Sequence, residues 1–413
     1  MSLSAAVPNQ TSSKPPIPHA LQERTFRRWW TGAIISLFGD QFYIVALPWL
    51  ILQLTGSGIA LGAILTTAAL PRAILMLIGG ATSDRLSPRK VMIVTASARA
   101  IVVAVIAGLI FSRSLHLWEL YILSFAFGVA DAFAFPAFQT FLPLLVRPEQ
   151  LAQANSAAQG AYQLSTIAGP LPAAIVVRKF GAAWAFLLDS LSFIAIIAAL
   201  SGLPDPPKAT AQIKKPSMLL AISEGIKYVW RDSALRTLIL LMAVLNFGMF
   251  GPMLVGLAYL AKLRFQTPTA YGVWLSFLAV GSLAGTLVAG FRWGFHRGRI
   301  LLFVGTGYGV GSIFLAFVAG LWVPALVLLC MGIMSGLVNV QITAWIQQRS
   351  ERSMLGRVSG VQMFSAFGLT PLSLALAGVL AQWNVKMLFV AGGLLMLVVT
   401  GVAALWGTIR EVE

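Results

Sequence analysis

Long apolar runs are the feature that most constrains the fold of this 413-residue chain. A membrane-spanning helix needs about 20 mostly apolar residues, because the hydrocarbon core of a bilayer is about 30 Å thick. The sequence holds twelve such runs, and it therefore predicts an all-α integral membrane protein with twelve transmembrane helices. To within a few residues, the runs are 29–53, 58–81, 91–112, 117–143, 151–177, 182–203, 234–262, 269–291, 300–319, 322–347, 358–381 and 386–408.

The composition agrees with a membrane protein and argues against an enzyme. Hydrophobic residues make up 58% of the chain and charged residues only 10%, whereas soluble domains contain about 25% charged residues. Little sequence lies outside the apolar runs, so we expect no soluble catalytic domain. We also expect no metal and no cofactor, because the sequence has neither a Cys/His or carboxylate cluster nor a nucleotide-binding glycine motif.

The apolar runs fall into two groups of six. Residues 24–203 form the predicted N-terminal six-helix half, and residues 234–413 form the predicted C-terminal half. Between them, residues 204–233 are predicted to be a cytoplasmic linker, since they are rich in Pro and Lys. Residues 1–23 carry Pro among Ser, Asn and Gln, and this composition predicts a disordered cytoplasmic tail.

Weak internal echoes relate the two halves. The segment RPEQLAQANSAAQ at 147–159 resembles RSMLGRVSGVQM at 352–363, an offset of just over 200 residues. At a similar offset, Gly-Pro-Leu at 169–171 resembles Thr-Pro-Leu at 370–372. These echoes, in matching order, predict two pseudo-symmetric bundles that enclose a site at the membrane midplane.

The distribution of Lys and Arg predicts the orientation. With a cytoplasmic N-terminus, 21 of the 29 basic residues lie on the cytoplasmic side, six lie on the opposite side and two lie in the membrane. The positive-inside rule then places both termini in the cytoplasm of a multi-pass protein of the inner, or plasma, membrane. The net charge of +16 is explained by this topology and by anionic membrane lipids, so no nucleic-acid partner is expected.

The segment between the second and third runs resembles a known family signature. It reads GGATSDRLSPRK at 79–90 and is similar to the signature loop of the major facilitator superfamily. The opening FRRWWTGAIISLFGDQFYIVALPWLILQLTGS at 26–57 and ALPRAIL at 69–75 resemble the branch that contains enterobactin exporters and macrolide-efflux proteins. The resemblance runs from 24 to 410. It implies the major facilitator fold, alternating access and a monomer.

The signature loop predicts a cytoplasmic gate. An acidic side chain at the membrane surface is attracted to a neighbouring helix N-terminus, and such a contact would hold one conformation closed. The resemblance implies that the partner of the loop is the start of the eleventh run. The alternative is a tight turn with topogenic charge. The predicted gate residues are Gly80, Asp84, Arg85, Arg89, Lys90 and Arg357.

A glycine and two prolines interrupt the fifth run. Gly169, Pro170 and Pro172 are predicted to bend its helix, because proline removes a backbone hydrogen bond and clashes with the preceding turn. The segment resembles a Gly-Pro motif of exporter branches of the superfamily, although Pro172 and Ala173 replace the trailing glycines. The alternative is an ordinary proline kink.

Five ionisable residues lie deep inside the apolar runs of the N-terminal half. Counting along the helices places all five at about 14 to 21 Å below the membrane surface. Three acids against two arginines leave one acid without a fixed partner, and that acid is the expected proton carrier. The predicted proton-coupling residues are Asp40, Asp131, Asp189, Arg72 and Arg99.

The acids are ranked with the help of the family resemblance. It implies that the first and fourth helices line the cavity, so Asp40 and Asp131 are placed ahead of Asp189. Asp189 is followed by Ser190, and the alternative for Asp189 is a hydrogen-bonded structural group. The alternative for all five residues is a structural network that holds the helices in register.

No carboxylate lies within a predicted span of the C-terminal half. Amides among aromatic side chains would suit a large amphiphilic compound better than a sugar or an inorganic ion. We therefore predict a small-molecule substrate bound in a cavity between the halves. The predicted cavity residues are Gln139, Tyr162, Gln163, Asn246, Phe250, Asn339, Gln341 and Phe364.

Together these patterns predict a secondary active exporter of hydrophobic or amphiphilic small molecules of the drug, macrolide or siderophore type. Protons would drive it by antiport. One alternative is a lipid or lysolipid flippase of the same fold. Another is a membrane receptor or assembly subunit without transport activity, which would be indifferent to the substitution Asp40→Asn.

Overall fold

A computed structural model gives the architecture of most of the chain. It describes residues 19–203, 218–290, 297–351 and 354–405, without the side chains of 76–85, 218–222 and 297. Every regular element in these ranges is helical, which confirms the predicted all-α fold. The predicted N-terminal tail lies outside the described residues except for its last five.

Fifteen α-helices are present in the described ranges, and a short π-helical segment, Pro252–Gly256, joins the ninth to the tenth. They are α1 (Arg24–Thr55), α2 (Gly58–Arg85), α3 (Pro88–Phe111), α4 (Leu117–Phe141), α5 (Leu151–Ala168), α6 (Pro170–Phe180), α7 (Ala182–Ser201), α8 (Met218–Arg231), α9 (Ser233–Gly251), α10 (Leu257–Phe265), α11 (Pro268–Ala289), α12 (Arg297–Phe317), α13 (Trp322–Arg349), α14 (Leu355–Phe367) and α15 (Thr370–Leu405).

Ten stretches of the described residues are long and apolar enough to cross a membrane, or eleven if the bent pair α5 and α6 forms one span. One of the ten, Leu355–Leu405, has 51 residues and at 1.5 Å per residue would be about 76 Å long, more than twice the hydrocarbon thickness. Extended backbone at Asn384 divides it. The predicted eleventh and twelfth spans lie on either side of this residue, and the count of twelve stays a prediction.

The same helix pairs recur in the two halves. In the N-terminal half, α2 packs along α4, and α7 packs against both α1 and α3. In the C-terminal half, α11 packs along α13, and α15 packs against both α9 and α12. The internal echoes in the sequence predicted a repeat of this kind.

Close contacts join the halves at one end of the bundle. A Cβ atom added to Gly62 of α2 would lie 2.6 Å from the Gly378 Cα atom of α15, and one added to Gly378 would lie 2.7 Å from the Gly58 carbonyl oxygen. At Gly272 of α11, an added Cβ would lie 2.6 Å from the Pro170 carbonyl oxygen. We call Gly58, Gly62, Gly272 and Gly378 the glycine seal, because each lets two backbones touch.

Polar side chains support the glycine seal. The Gly58 backbone amide donates a hydrogen bond to the Gln382 Oε1 atom at 2.7 Å. The Lys262 ammonium lies 5.2 Å from the centre of the Trp49 ring, which is a contact between α10 and α1. This end of the bundle is opposite to the loop that follows α2, where the predicted cytoplasmic surface begins.

Two helical segments differ from the sequence-based expectations. Helix α2 continues to Arg85, so the first seven residues of the signature loop are helical and only Leu86 and Ser87 link α2 to α3. The predicted linker contains α8, which the sequence analysis did not predict. Helix α8 is amphipathic and packs against α14 and α9. Its Val229 is buried, whereas Ile226 and Trp230 are exposed.

Candidate functional site

The ionisable residues predicted in the membrane form one group. The Arg72 Nη1 atom lies 3.1 Å from the Asp131 Oδ2 atom, and the Arg99 Nη1 atom lies 3.5 Å from the Asp131 Oδ1 atom. Arg99 also lies 4.0 Å from the Asp40 Oδ1 atom. We call Asp40, Arg72, Arg99, Asp131 and Asp189 the charge cluster. Its members come from α1, α2, α3, α4 and α7.

Arg99 is the centre of the charge cluster. Its side chain is only 14% exposed and lies between the acids of α1 and α4. The guanidinium carbon lies 4.6 Å from the centre of the Phe193 ring, so α7 holds the same group through a cation–π contact. Because arginine stays charged, Arg99 is a fixed positive charge that four helices share.

Asp189 has a different environment from the other acids. It is fully buried, and neither carboxylate oxygen accepts a hydrogen bond from a described residue. The Ser190 hydroxyl, which the sequence analysis considered as its partner, donates to the Ala100 carbonyl oxygen at 2.9 Å. Ser190 is thus not the hydrogen-bond partner of Asp189, and the alternative interpretation of Asp189 as a structural group stays a prediction.

The three predicted cavity residues of the N-terminal half are polar side chains of α4 and α5. Tyr162 is exposed and lies within electrostatic range of Asp40 and Arg72. Gln139 is exposed on α4, and Gln163 is partly buried on α5. Of these three side chains, only Tyr162 is tied to the charge cluster by a described interaction.

The fifth span is bent where the sequence predicts a bend. The helical axes on either side of Gly169 differ by 41°, and Pro170 and Pro172 lie in the first turn of α6. A Cβ atom on Gly169 would lie 2.4 Å from the Gln41 Cγ atom of α1. Glycine at this position therefore lets the bent span contact α1 at the residue next to Asp40.

The C-terminal half contains a cavity of about 360 Å³, which we call the C-half cavity. Asn246, Phe250 and Asn339 line it, as the sequence analysis expected, and no charged side chain is among its described lining residues. Sequence reasoning did not single out the sulfur-containing side chains of its wall, which are Met242, Met249, Met363 and Met396. Methionine is flexible and polarisable and adapts to apolar ligands of different shape.

Two predicted cavity residues lie outside the described wall of the C-half cavity. The Gln341 amide donates to the Ala289 carbonyl oxygen at 3.2 Å and so joins α13 to α11. Gln341 is two positions after Asn339, and at about 100° per residue the two side chains point to different sides of the helix. Phe364 is 52% exposed and does not line the cavity.

The predicted gate is only partly within the described residues. The side chains of Gly80, Asp84 and Arg85 lie outside them, so the contact between Asp84 and the eleventh span stays a prediction. Arg89 donates to the Leu200 and Ser201 carbonyl oxygens at 2.8 and 2.9 Å, at the C-terminus of α7. Its described contacts are thus within the N-terminal half.

The other two predicted gate residues also have described surroundings. Lys90 is exposed. Arg357, the expected partner of the signature loop, forms a 2.9 Å ion pair with Glu224 of α8. This ion pair therefore joins Arg357 to the linker helix, which sequence reasoning missed because it did not predict α8.

A second ion pair fixes the start of the C-terminal half. The Asp232 carboxylate caps α9 by accepting hydrogen bonds from two backbone amides and lies 2.8 Å from the Arg349 Nε atom. Partial burial acts to raise the pKa of Asp232, but the hydrogen bonds from Arg349 and the amides outweigh it and hold the pKa below its ordinary value. An Asp directly before an apolar run predicts the N-cap of a helix.

The fold and the charge cluster are those of a polytopic membrane transporter, and comparison with known proteins gives the family. The chain belongs to the Major Facilitator Superfamily, whose family model matches residues 29–372. The resemblance seen in the signature loop is thereby confirmed. Ten of the twelve predicted spans and the whole charge cluster lie within the matched range.

Several known proteins are similar over nearly the whole chain. The multidrug efflux pump Tap of Mycolicibacterium fortuitum is 29% identical over 399 residues, covering 92% of this chain and 95% of the relative. Macrolide efflux protein A of Streptococcus pyogenes is 24% identical over 393 residues, covering 93% and 96%. A crystal structure of the nucleoside transporter NupG superposes with a TM-score of 0.79 at 11% identity, covering 92% and 99%, and shows the common fold.

Proposed function

We propose that this protein exports hydrophobic or amphiphilic small molecules by proton antiport with alternating access. The observation that carries the proposal is the pairing of a charge cluster in one half with an uncharged, methionine-rich cavity in the other. The first can bind and release protons, and the second can bind apolar compounds. Relatives named as multidrug and macrolide efflux proteins support export of this substrate class.

The arrangement of the halves supports a cavity that opens towards the basic loops. The glycine seal closes the opposite end, while the side chains of Asp40 and Asp131 are 28% and 23% exposed. Water and substrate would therefore reach the cluster from the predicted cytoplasmic side. In an alternating-access cycle the glycine seal would open and the cytoplasmic ends would close.

The shared guanidinium suggests how protons and substrate are exchanged. Asp40 and Asp131 both depend on Arg99, so a change in the charge of one acid alters the contact of the other. A substrate that displaces water from the cavity strengthens these interactions, because charges interact more strongly at low dielectric. Proton binding and substrate binding would then favour different positions of α1, α3 and α4.

The cellular setting follows from the same proposal. We place the protein in the inner, or plasma, membrane with both termini in the cytoplasm, because the basic residues concentrate on that side. We expect a monomer surrounded by lipid. Its partners would be the substrate, protons and membrane lipids.

Transport by purified protein in liposomes tests the proposal. Erythromycin uptake is measured with and without an imposed pH gradient in the wild type and in the variant Asp40→Asn. We expect the gradient to accelerate uptake by the wild type only, and erythromycin exchange without a gradient to persist in the variant. Wild-type uptake that is the same with and without a gradient would contradict proton antiport.

A lipid flippase is retained as a second candidate because of an apolar groove on α12 and α13. The groove has a volume of about 550 Å³, is lined by Phe303, Cys330 and Leu337 among others, and has Arg299 at one end. Val304 lines both this groove and the C-half cavity. Transfer of fluorescent phospholipid between leaflets, without erythromycin transport, would favour this candidate.

A further inference from the structure

Asp189 is the one acid of the charge cluster without a counter-ion in contact. Its carboxyl group is 0% exposed, and both oxygens lack a hydrogen-bond partner among the described residues. Asp40 and Asp131 are partly exposed, and each lies within 4.0 Å of a guanidinium nitrogen. The three acids therefore have unequal means of supporting a negative charge.

The Asp189 carboxyl group is enclosed by α1, α3 and its own helix. From α1, Gly39 approaches so closely that an added Cβ atom would lie 2.9 Å from the Asp189 Oδ1 atom. The charged groups within electrostatic range are Asp40 of α1 and Arg99 of α3. On α7, the Ser192 hydroxyl also lies close to the carboxyl group, but its hydrogen bond goes to the Asp189 backbone carbonyl oxygen at 2.7 Å.

A tyrosine links this region to α4. Tyr43 of α1 lies within electrostatic range of both Asp189 and Asp131 and beside Ser124. The hydroxyl groups of Tyr43 and Ser124 are buried without a hydrogen-bond partner among the described residues, as is the Arg99 Nε atom. In this conformation none of these three unused donors is hydrogen-bonded to an Asp189 carboxylate oxygen.

Burial without hydrogen bonds favours the neutral form of an acid. An isolated carboxylate in an apolar interior is destabilised by several kcal/mol, whereas the neutral acid loses much less on burial. Arg99 cannot neutralise all three acids at once, since its nearer contacts are with Asp131 and Asp40. We propose, on the basis of the proposed function, that Asp189 carries the coupling proton in this conformation. The proton would leave for the cavity through Asp40.

The proposed step is a proton transfer between two carboxyl groups. The proton leaves the Asp189 carboxyl group, binds the Asp40 carboxylate and passes from there to water in the cavity. The remaining Asp189 anion attracts the Arg99 guanidinium towards α7 and weakens its contact with Asp131. Because Gly39 holds α1 against Asp189, the new charge also acts directly on the α1–α7 contact.

Infrared spectroscopy of the purified protein tests the protonation state without any transport. A neutral Asp side chain has a carbonyl stretching band that the ionised form lacks. At neutral pH we expect this band in the wild type, its loss in Asp189→Asn and its retention in the matched variant Asp131→Asn. A band that persists in Asp189→Asn, or disappears in Asp131→Asn, would overturn the proposal.

A second variant keeps the test valid if Asp189→Asn does not fold. The variant Asp189→Glu preserves the carboxyl group, and its carbonyl band should move in frequency because the side chain is different. A band of unchanged frequency in Asp189→Glu would assign the proton to another acid. Size-exclusion chromatography identifies which variants are folded before the spectra are compared.

Transport separates this inference from the proposed function. Liposomes containing the pH indicator pyranine report proton movement when erythromycin is added. We expect the wild type to couple the two fluxes and Asp189→Asn to transport at the rate seen without a pH gradient. A wild type without coupling contradicts the proposed function, whereas coupling that persists in Asp189→Asn contradicts only the assignment of the proton to Asp189.

Discussion

The two halves have the same helix pairing but opposite chemistry. Deep inside its spans, the N-terminal half has three acids and two arginines, gathered around Arg99. The described spans of the C-terminal half have no acid, and the C-half cavity is lined by Met, Phe and amide side chains. A repeated scaffold therefore does not require repeated function, and it allows one half to respond to protons while the other binds apolar compounds.

The largest effect should come from removing the shared cation of the N-terminal half. Arg99→Gln leaves buried carboxylates without their counter-ion, and breaking such a pair costs about 3–5 kcal/mol. We expect a large fall in melting temperature and complete loss of gradient-driven transport. The double variant Arg99→Gln with Asp131→Asn should recover much of the stability but none of the coupling.

That double variant tests whether the two halves differ in function. If it regains gradient-driven erythromycin transport, the charge cluster is a structural network and the halves do not differ in function. If Arg99→Gln alone has the stability of the wild type, the geometry around Arg99 does not describe the folded protein.

The next largest effect concerns the contact between the halves. The substitution Gly62→Val adds atoms where a Cβ already lies 2.6 Å from the α15 backbone, and overpacking of this kind costs about 1–3 kcal/mol. This shifts the balance between sealed and open forms by about 5- to 150-fold. We expect a longer distance between spin labels at Ser57 and Gln382, in a background with Cys330→Ser.

The matched control for Gly62→Val is Gly401→Val, since nothing lies within 4 Å of a Cβ atom at Gly401. It should change neither the label distance nor transport. Equal effects of the two substitutions would mean that the glycine seal does not set the conformation.

A smaller effect is expected in the C-half cavity. Asn246→Leu and Asn339→Leu each remove a polar group that can hydrogen-bond a substrate, worth about 0.5–1.5 kcal/mol. The KM for erythromycin should rise roughly 2- to 13-fold, with gradient dependence unchanged. Gln341→Leu is the control, because that side chain bonds Ala289 instead of lining the cavity. Loss of gradient dependence in Asn246→Leu would remove the functional contrast between the halves.

The smallest effect is expected on stability, from the charge at the start of the C-terminal half. Asp232→Ala removes the cap of α9 and should lower the free energy of unfolding at pH 7 by about 1 kcal/mol. Asp232→Asn keeps a capping side chain and should lower it less. Thermal unfolding in detergent measures both, and neither should alter gradient dependence.

The pH dependence of that effect has a defined sign. The pKa of Asp232 is lower in the folded protein than its ordinary value of 3.8. Its ionised form therefore stabilises the fold above that value, and the stabilisation is lost as pH falls through the lowered pKa. The difference between wild type and Asp232→Asn should disappear in acid. A difference that grows in acid would contradict the ion pair with Arg349.

Much of the fold was predictable because apolar length and charge asymmetry act locally. Spacing along helices predicts where the first half starts, at Arg24, and where its fifth span bends, at Gly169. It also predicts the depth of the ionisable residues in the membrane. Helix α8 was missed because its short amphipathic pattern lies in a segment rich in Pro and Lys. The continuation of α2 to Arg85 was missed because its glycines resemble a loop.

The charge cluster was predictable as a set but not in its internal pairing. Helical spacing gives the depth of Asp189, whereas its neighbours come from α1 and α3, which are far away in sequence. Likewise, the sequence indicated Arg357 as a partner for the signature loop, whereas in the structure it forms an ion pair with Glu224 of α8. Pairing depends on tertiary contacts, which periodicity alone does not specify.

The glycine seal has a consequence for the response to membrane voltage. A field across the membrane acts on a full charge with about 2.3 kcal/mol per 100 mV, but it exerts almost no force on touching glycine backbones. The protein's own contribution to an electrical component of the transport cycle would then originate in the carboxylates and guanidiniums of the first half. Current recordings on planar bilayers would thus follow the protonation steps, with little contribution from the closing of the far end.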